Sequence, residues 1–76
     1  MKEVEVNGKK FVVRELLATE LDNIDLNDSK NSIRKQVILS TGISEDEYNK
    51  LTVKERGAIL KVITELNYPD FLNPTK

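Results

Sequence analysis

An Asn-Gly pair near the start of the chain, Asn7-Gly8, constrains the fold more than any other feature of the sequence. Both central residues of a type I′ turn need positive φ, and the residues on either side of this pair alternate between charged and apolar. A two-residue loop pairs Val6 with Lys9, so we predict an antiparallel hairpin over residues 2–14. Its apolar face must rest on other elements, because an isolated hairpin is barely stable in water. That face comprises Val4, Val6, Phe11 and Val13.

Beyond the hairpin, apolar residues recur at helical spacing and predict a small bundle of three to four short helices. Leu17, Leu21 and Ile24 form the first stripe, and Thr19 is a candidate N-cap for a shorter version of that helix. Gly42 fits the left-handed cap of a Schellman motif, which favours a helix rather than a strand just before it. The fold class is therefore α+β and mainly α. The predicted helices span about 17–25, 29–41, 45–50 and 53–66.

Two capping boxes predict where the last two helices begin. Ser44 is followed three residues later by Glu47, and Thr52 is followed in the same way by Glu55. A short helix, a tight joint and a longer helix over residues 44–66 also resemble a helix-turn-helix. The acidic first helix of that pair would repel phosphate, so two helices packed for stability are the favoured interpretation.

The last helix carries the clearest apolar stripe of the chain. Gly57 lies inside it, and a glycine there costs about 1 kcal/mol relative to alanine, so we predict close approach of another backbone at this position. Asn67 is the predicted left-handed C-cap. Residues 1–68 then form a single domain and residues 69–76 an irregular tail. The stripe comprises Ile59, Val62, Ile63 and Leu66.

Composition excludes most catalytic and cofactor chemistry. The sequence contains no cysteine and no histidine, which removes disulfides, thiolate metal sites and the commonest general base. The three glycines stand far apart, so no phosphate-binding loop is formed. We predict a protein that is not an enzyme, with no catalytic residue, metal or cofactor. Without an apolar leader or a membrane-length stretch, it is expected to be soluble and cytoplasmic.

Charge is segregated along the chain although the net charge is only −1. Residues 15–28 carry five acids and no cation, whereas residues 30–35 carry three cations and no acid. Solvated faces are the simplest interpretation of such runs. The functional alternative is a polarity that orients a partner or a neighbouring copy. The small net charge argues against binding of nucleic acid through bulk electrostatics.

The order of these pieces resembles the tail assembly chaperones of tailed bacteriophages. The joint Leu39–Glu47, followed by Leu51-Thr52 and a final amphipathic helix, is similar to a leucine, Thr/Ser-Gly-Ile/Leu-Ser and acidic-run joint in that family. The opening Val6–Lys9, which leads into Val13–Leu16 and Thr19–Leu21, is similar to the family's opening. The resemblance covers about residues 4–66, and its motifs are not catalytic.

The resemblance implies a function in phage or prophage tail morphogenesis. Tail assembly chaperones bind the tape measure protein, keep it soluble and help to recruit tail tube subunits, and they act in the host cytoplasm without entering the finished virion. The alternative function is a small phage or prophage DNA-binding regulator or adaptor. A basic face would support that alternative, and its candidate members are Lys30, Arg34, Lys35, Lys54 and Arg56.

Apolar residues that the predicted core does not need are the candidates for partner binding. One helical stripe covers the hairpin face, so several large apolar side chains are expected at the surface, where clusters of this kind mark interaction sites. We predict binding to the tape measure protein, with self-association and tail tube binding as further contacts. Phe71 and Leu72 either fold back on the body or form a docking segment. The predicted partner-binding residues are Ile38, Leu39, Tyr48, Leu60, Phe71 and Leu72.

Overall fold

The hairpin forms with the predicted register. A computed structural model describes residues 1–68, and its two strands are β1 (Lys2–Val6) and β2 (Lys9–Val13). Val6 pairs with Lys9 and Val4 with Phe11. Asn7 and Gly8 have φ angles of 54° and 81°, as a type I′ turn requires, so the turn prediction is confirmed.

Four helices follow the hairpin within residues 1–68, which confirms the α+β, mainly α class. Two of them are long and two are single turns. The second and fourth helices agree with the predicted ranges to within one residue, whereas the first is shorter than predicted and the third ends one residue early. They are α1 (Ala18–Asp22), α2 (Ser29–Thr41), α3 (Glu45–Asn49) and α4 (Val53–Asn67).

The core lies where the inner face of the hairpin meets α2 and α4. Its buried members are Val13 from β2, Val37 from α2, and three residues of the predicted α4 stripe. Partly buried side chains, including Ile33, Ile43 and Leu51, pack around this cluster. The α4 members of the core are Ile59, Val62 and Ile63.

Two ion pairs join α4 to the inner face of the hairpin. Lys2, at the open end of the hairpin, lies 3.0 Å from the Glu65 carboxylate, and Lys9, beside the turn, lies 3.3 Å from the Glu55 carboxylate. Period-2 alternation places both lysines on the same face as the core valines. The helix therefore runs beneath the hairpin from its turn to its open end.

The structure corrects the predictions made for α1. The helix begins after Leu17 rather than at it, and Thr19 lies inside the helix instead of capping it. The Glu20 carboxylate accepts the Leu17 N–H at 2.8 Å, a capping bond that the sequence analysis did not anticipate. The predicted stripe does not form one helical face, because Leu17 precedes the helix and Ile24 follows it. Of its members only Ile24 is buried, whereas Leu17 is 64% exposed.

The C-termini of the two long helices also differ from prediction. Gly42 is left-handed (φ 75°), but its single bond to the Ile38 carbonyl at 2.8 Å makes the cap an αL motif rather than a Schellman motif. Asn67 is helical, and Tyr68 takes the C-cap position with φ −134°. The Asn67 side chain instead accepts the Leu16 N–H at 2.9 Å. It thereby ties the end of α4 to the segment before α1.

Gly57 does not serve the close approach that was predicted for it. The residue is exposed, and a Cβ built on it would meet no atom within 4 Å. The prediction was wrong because the hairpin packs on the side of α4 that carries Ile59 and Ile63, away from Gly57. The predicted irregular tail over residues 69–76 lies outside the described residues.

Candidate protein-binding groove

A surface groove of about 560 Å³ lies between α1, α2 and the start of α3. We call it the α1–α2 groove. Three aliphatic side chains form its apolar part, and polar and charged side chains surround them. The lining residues are Glu20, Asn23, Ile24, Asn31, Arg34, Lys35, Ile38, Leu39 and Glu45.

Helix α2 contributes most of the residues that line the groove. They lie on a different side of the helix from the residues that pack into the core. Ile33 and Val37 pack into the core on one side of the helix. The groove-lining residues of α2 fall at i, i+3, i+4 and i+7 on another side, with Leu39 next to the last of them. One helix thus presents a core face and a groove face. The four residues at that spacing are Asn31, Arg34, Lys35 and Ile38.

Helix α1 forms the opposite wall, and an ion pair holds it. The guanidinium of Arg14 donates to both carboxylate oxygens of Glu20, at 3.0 and 2.8 Å. These bonds, together with the Leu17 N–H, lower the pKa of Glu20 from its ordinary 4.5 to about 2. The same contact raises the pKa of Arg14. Directly after α1, the buried side chain of Ile24 also anchors this wall.

A second ion pair closes the groove at the start of α3. Arg34 donates to the Glu45 carboxylate at 3.2 Å, and its guanidinium carbon lies 5.5 Å from the centre of the Tyr48 ring. Lys35 also lines the groove, but it forms no ion pair with any residue in the range 1–68. The charge inside the groove that is left without a local counter-charge is therefore positive.

The predicted partner-binding residues are divided between the groove and the core. Ile38 and Leu39 lie together in the α1–α2 groove. Leu60 and Tyr48 are half-buried and pack against the core cluster, so they are not brought together with the first two. Phe71 and Leu72 lie outside the described residues.

Sequence reasoning missed Ile24, Glu20 and Lys35 as groove residues. Ile24 was assigned to a helical stripe, and the two charged residues were treated as parts of opposed charge runs. One signal in the sequence could have indicated them. The polar residues of α2 recur at helical spacing, and Ile38 is the next residue at that spacing. That spacing indicates a second face on α2, but only folding brings α1 against it.

The five cations proposed for a basic face do not all remain available to a nucleic acid. Arg34 and Arg56 both approach Tyr48, whose hydroxyl accepts from Arg56 at 3.3 Å. Lys30 and Lys35 are exposed on α2, and Lys54 is exposed at the start of α4.

Residues 1–68 offer neither a metal site nor a membrane-spanning helix. No group of three or more acidic residues there is arranged to hold a metal ion. None of the helices in this range combines the length and apolarity needed to cross a bilayer. Comparison with known protein families, curated proteins and solved structures finds no match. The geometry of the α1–α2 groove, together with the sequence resemblance, is therefore the basis for a functional proposal.

Proposed function

We propose that this chain is a non-catalytic protein-binding module that acts as a phage tail assembly chaperone. In this role it binds the tape measure protein in the host cytoplasm, keeps it soluble, and helps to recruit tail tube subunits. The observation that carries the proposal is the α1–α2 groove, an apolar depression with a charged rim on the surface of a small domain. Exposed apolar surface of this kind is typical of interaction sites.

The shape of the groove suits a helical partner. Its longer wall is α2, which offers side chains at helical spacing along the face that ends at Ile38. The other wall consists of Glu20 on α1 and of Asn23 and Ile24, which directly follow that helix. An amphipathic helix can lay its apolar face into such a depression, with anchors at i, i+3, i+4 and i+7. A tape measure protein, as an extended helical chain, offers that pattern repeatedly.

The segments that carry the family resemblance also supply groove residues. Leu39 and Glu45 come from the joint segment, and Glu20 comes from the end of the opening segment. Arg14, in the same opening, holds Glu20 in place. The proposal therefore gives both segments a role at one surface. The sequence alone showed only the order of the two segments along the chain.

The test is co-expression with helical fragments of the tape measure protein from the same phage or prophage genome, followed by size-exclusion chromatography. The wild-type chain should co-elute with a fragment. Ile38→Glu should lose the complex because it places a charge in the apolar part of the groove. Val53→Glu is the matched control, since Val53 is 78% exposed and lies outside the groove.

Circular dichroism must first establish that both variants are folded. Clean separation of the wild-type chain from every fragment would reject the proposed function. Loss of binding in both variants would reject the groove as the binding surface.

A further inference from the structure

We infer that the α1–α2 groove is selective for an acidic amphipathic helix, which sets a carboxylate against Lys35 and apolar side chains against Ile38 and Leu39. The inference rests on the proposed function, because it specifies the chemistry of the helical partner at the same site. It identifies a property of the partner that the resemblance does not supply.

The ion pairs inside the groove lead to this conclusion, because they leave one cation without a partner. Both oxygens of the Glu20 carboxylate are bound by Arg14, and the Glu45 carboxylate is bound by Arg34. Lys35 is left without an ion-pair partner among residues 1–68. A partner that covers the groove must desolvate this ammonium group at least in part, which is unfavourable unless the partner brings an anion.

The position of Lys35 specifies where that anion must be. Lys35, Ile38 and Leu39 are at i, i+3 and i+4 of α2, so their side chains are neighbours on one patch of the helix surface. A bound helix that places an apolar anchor on Ile38 and Leu39 therefore needs its acidic residue within one turn of that anchor. A carboxylate elsewhere on the partner would not reach the ammonium group.

The length of the groove limits how much of a bound helix it can contact. The α2 face runs from Asn31 to Ile38, a rise of about 10 Å, or two helical turns. Ile24, which follows α1, also lines the groove and adds apolar surface to it. The recognised element is thus a two-turn segment with apolar residues on one face and an acid beside them.

The experiment uses designed peptides of about 16 residues, long enough to form a helix on binding. One peptide carries a leucine stripe flanked by glutamates, the second replaces those glutamates with lysines, and the third keeps the glutamates but has alanines in the stripe. Fluorescence anisotropy with the full chain should give the glutamate peptide an affinity about fivefold higher than that of the lysine peptide. The alanine peptide should not bind, and added salt should reduce the difference between the first two.

Charge reversal at Lys35 tests the assignment directly. Lys35→Glu should reverse the preference, so that the lysine peptide binds more tightly than the glutamate peptide. Lys54→Glu is the matched control and should keep the wild-type preference, because Lys54 is exposed at the start of α4 and outside the groove. An unchanged preference in Lys35→Glu, or equal binding of all three peptides, would overturn the inference.

The result is separable from that of the co-expression experiment. If a tape measure fragment binds and Lys35→Glu leaves that binding unchanged, the inference fails and the proposed function stands. If the glutamate peptide binds selectively and no fragment does, the inference stands and the proposed function fails. Concentration-dependent self-association of the chain that Lys35→Glu abolishes would make a second copy the occupant and would also overturn the inference.

Discussion

At the residue scale, the carboxylate of Glu55 serves two different parts of the fold. One oxygen accepts the Thr52 N–H at 2.9 Å and closes the capping box of α4, while the other lies 3.3 Å from the ammonium of Lys9. The Thr52 contact is the main cause of the lowered pKa of Glu55, with Lys9 adding to it and burial opposing it. The side chain is only 3% exposed, so its partners cannot be replaced easily by water.

We therefore expect Glu55→Ala to lower Tm at least about twice as much as Glu47→Ala, because only the former leaves a part-buried N–H, that of Thr52, without its acceptor and also removes an ion pair, that with Lys9. Glu47 is the matched control, since it makes the same capping box at α3 while remaining exposed. Glu55→Gln should fall between the two, because an amide oxygen still accepts from Thr52. Thermal unfolding followed by circular dichroism measures all three, and equal losses for Glu55→Ala and Glu47→Ala would contradict the role of burial.

At the element scale, two glycines show two different effects on stability. One effect comes from helix propensity and the other from the left-handed backbone of a helix cap. Gly57 lies within α4 with ordinary helical backbone, whereas Gly42 ends α2 with φ 75°. A Cβ would meet no atom within 4 Å at either position, so steric crowding does not distinguish them. Only the backbone conformation does.

Gly57→Ala should stabilise the domain by up to about 1 kcal/mol, which corresponds to a rise in Tm of roughly 4–8 °C. Gly42→Ala should destabilise it by about 1 kcal/mol, because a residue with a Cβ is strained in the left-handed region. Urea titration of both variants gives the two free energies of unfolding. A loss of stability in Gly57→Ala would indicate that the helix needs a glycine there for a reason other than packing.

At the scale of the whole molecule, polar contacts between distant segments supplement a small core. Five buried residues form the central cluster, and a domain of this size buries a modest fraction of its surface. The Arg14 N–H donates to the Ser40 carbonyl at 3.0 Å, and its guanidinium binds Glu20 on α1. Arg14 therefore connects the hairpin, α1 and α2.

This connection predicts a dependence of stability on pH. The folded-state pKa of Glu20 is about 2, below its ordinary 4.5. Its contribution to stability is therefore complete above about pH 4.5 and is lost as pH falls toward 2. Glu20→Gln should lower Tm at pH 7 and should show a smaller further fall in Tm between pH 5 and pH 2 than the wild-type chain does.

Glu15→Gln is the matched control for this measurement, because Glu15 is exposed and its carboxylate makes no ion pair within residues 1–68. Its Tm should follow the wild-type pH profile. A Glu20→Gln profile parallel to that of the wild type would show that the Arg14–Glu20 pair does not couple folding to pH.

The sequence by itself determined the features whose causes lie within a few residues. The register of β1 and β2 follows from Asn7-Gly8, since both positions need positive φ and a two-residue loop leaves one pairing. The starts of α3 and α4 follow from capping boxes that close between residues three apart. Both partners of each capping bond lie within three residues of one another, so a local pattern is enough to predict them.

Only the tertiary structure decided how the elements meet. Lys9 and Glu55 pair across 46 positions of sequence, Asn67 reaches Leu16, and α1 comes to rest beside α2 to form the groove. Each contact depends on which helix face the hairpin covers, and several faces were compatible with the sequence pattern. The choice among them is made by packing of the whole core, because burial is a collective property that no short segment possesses alone.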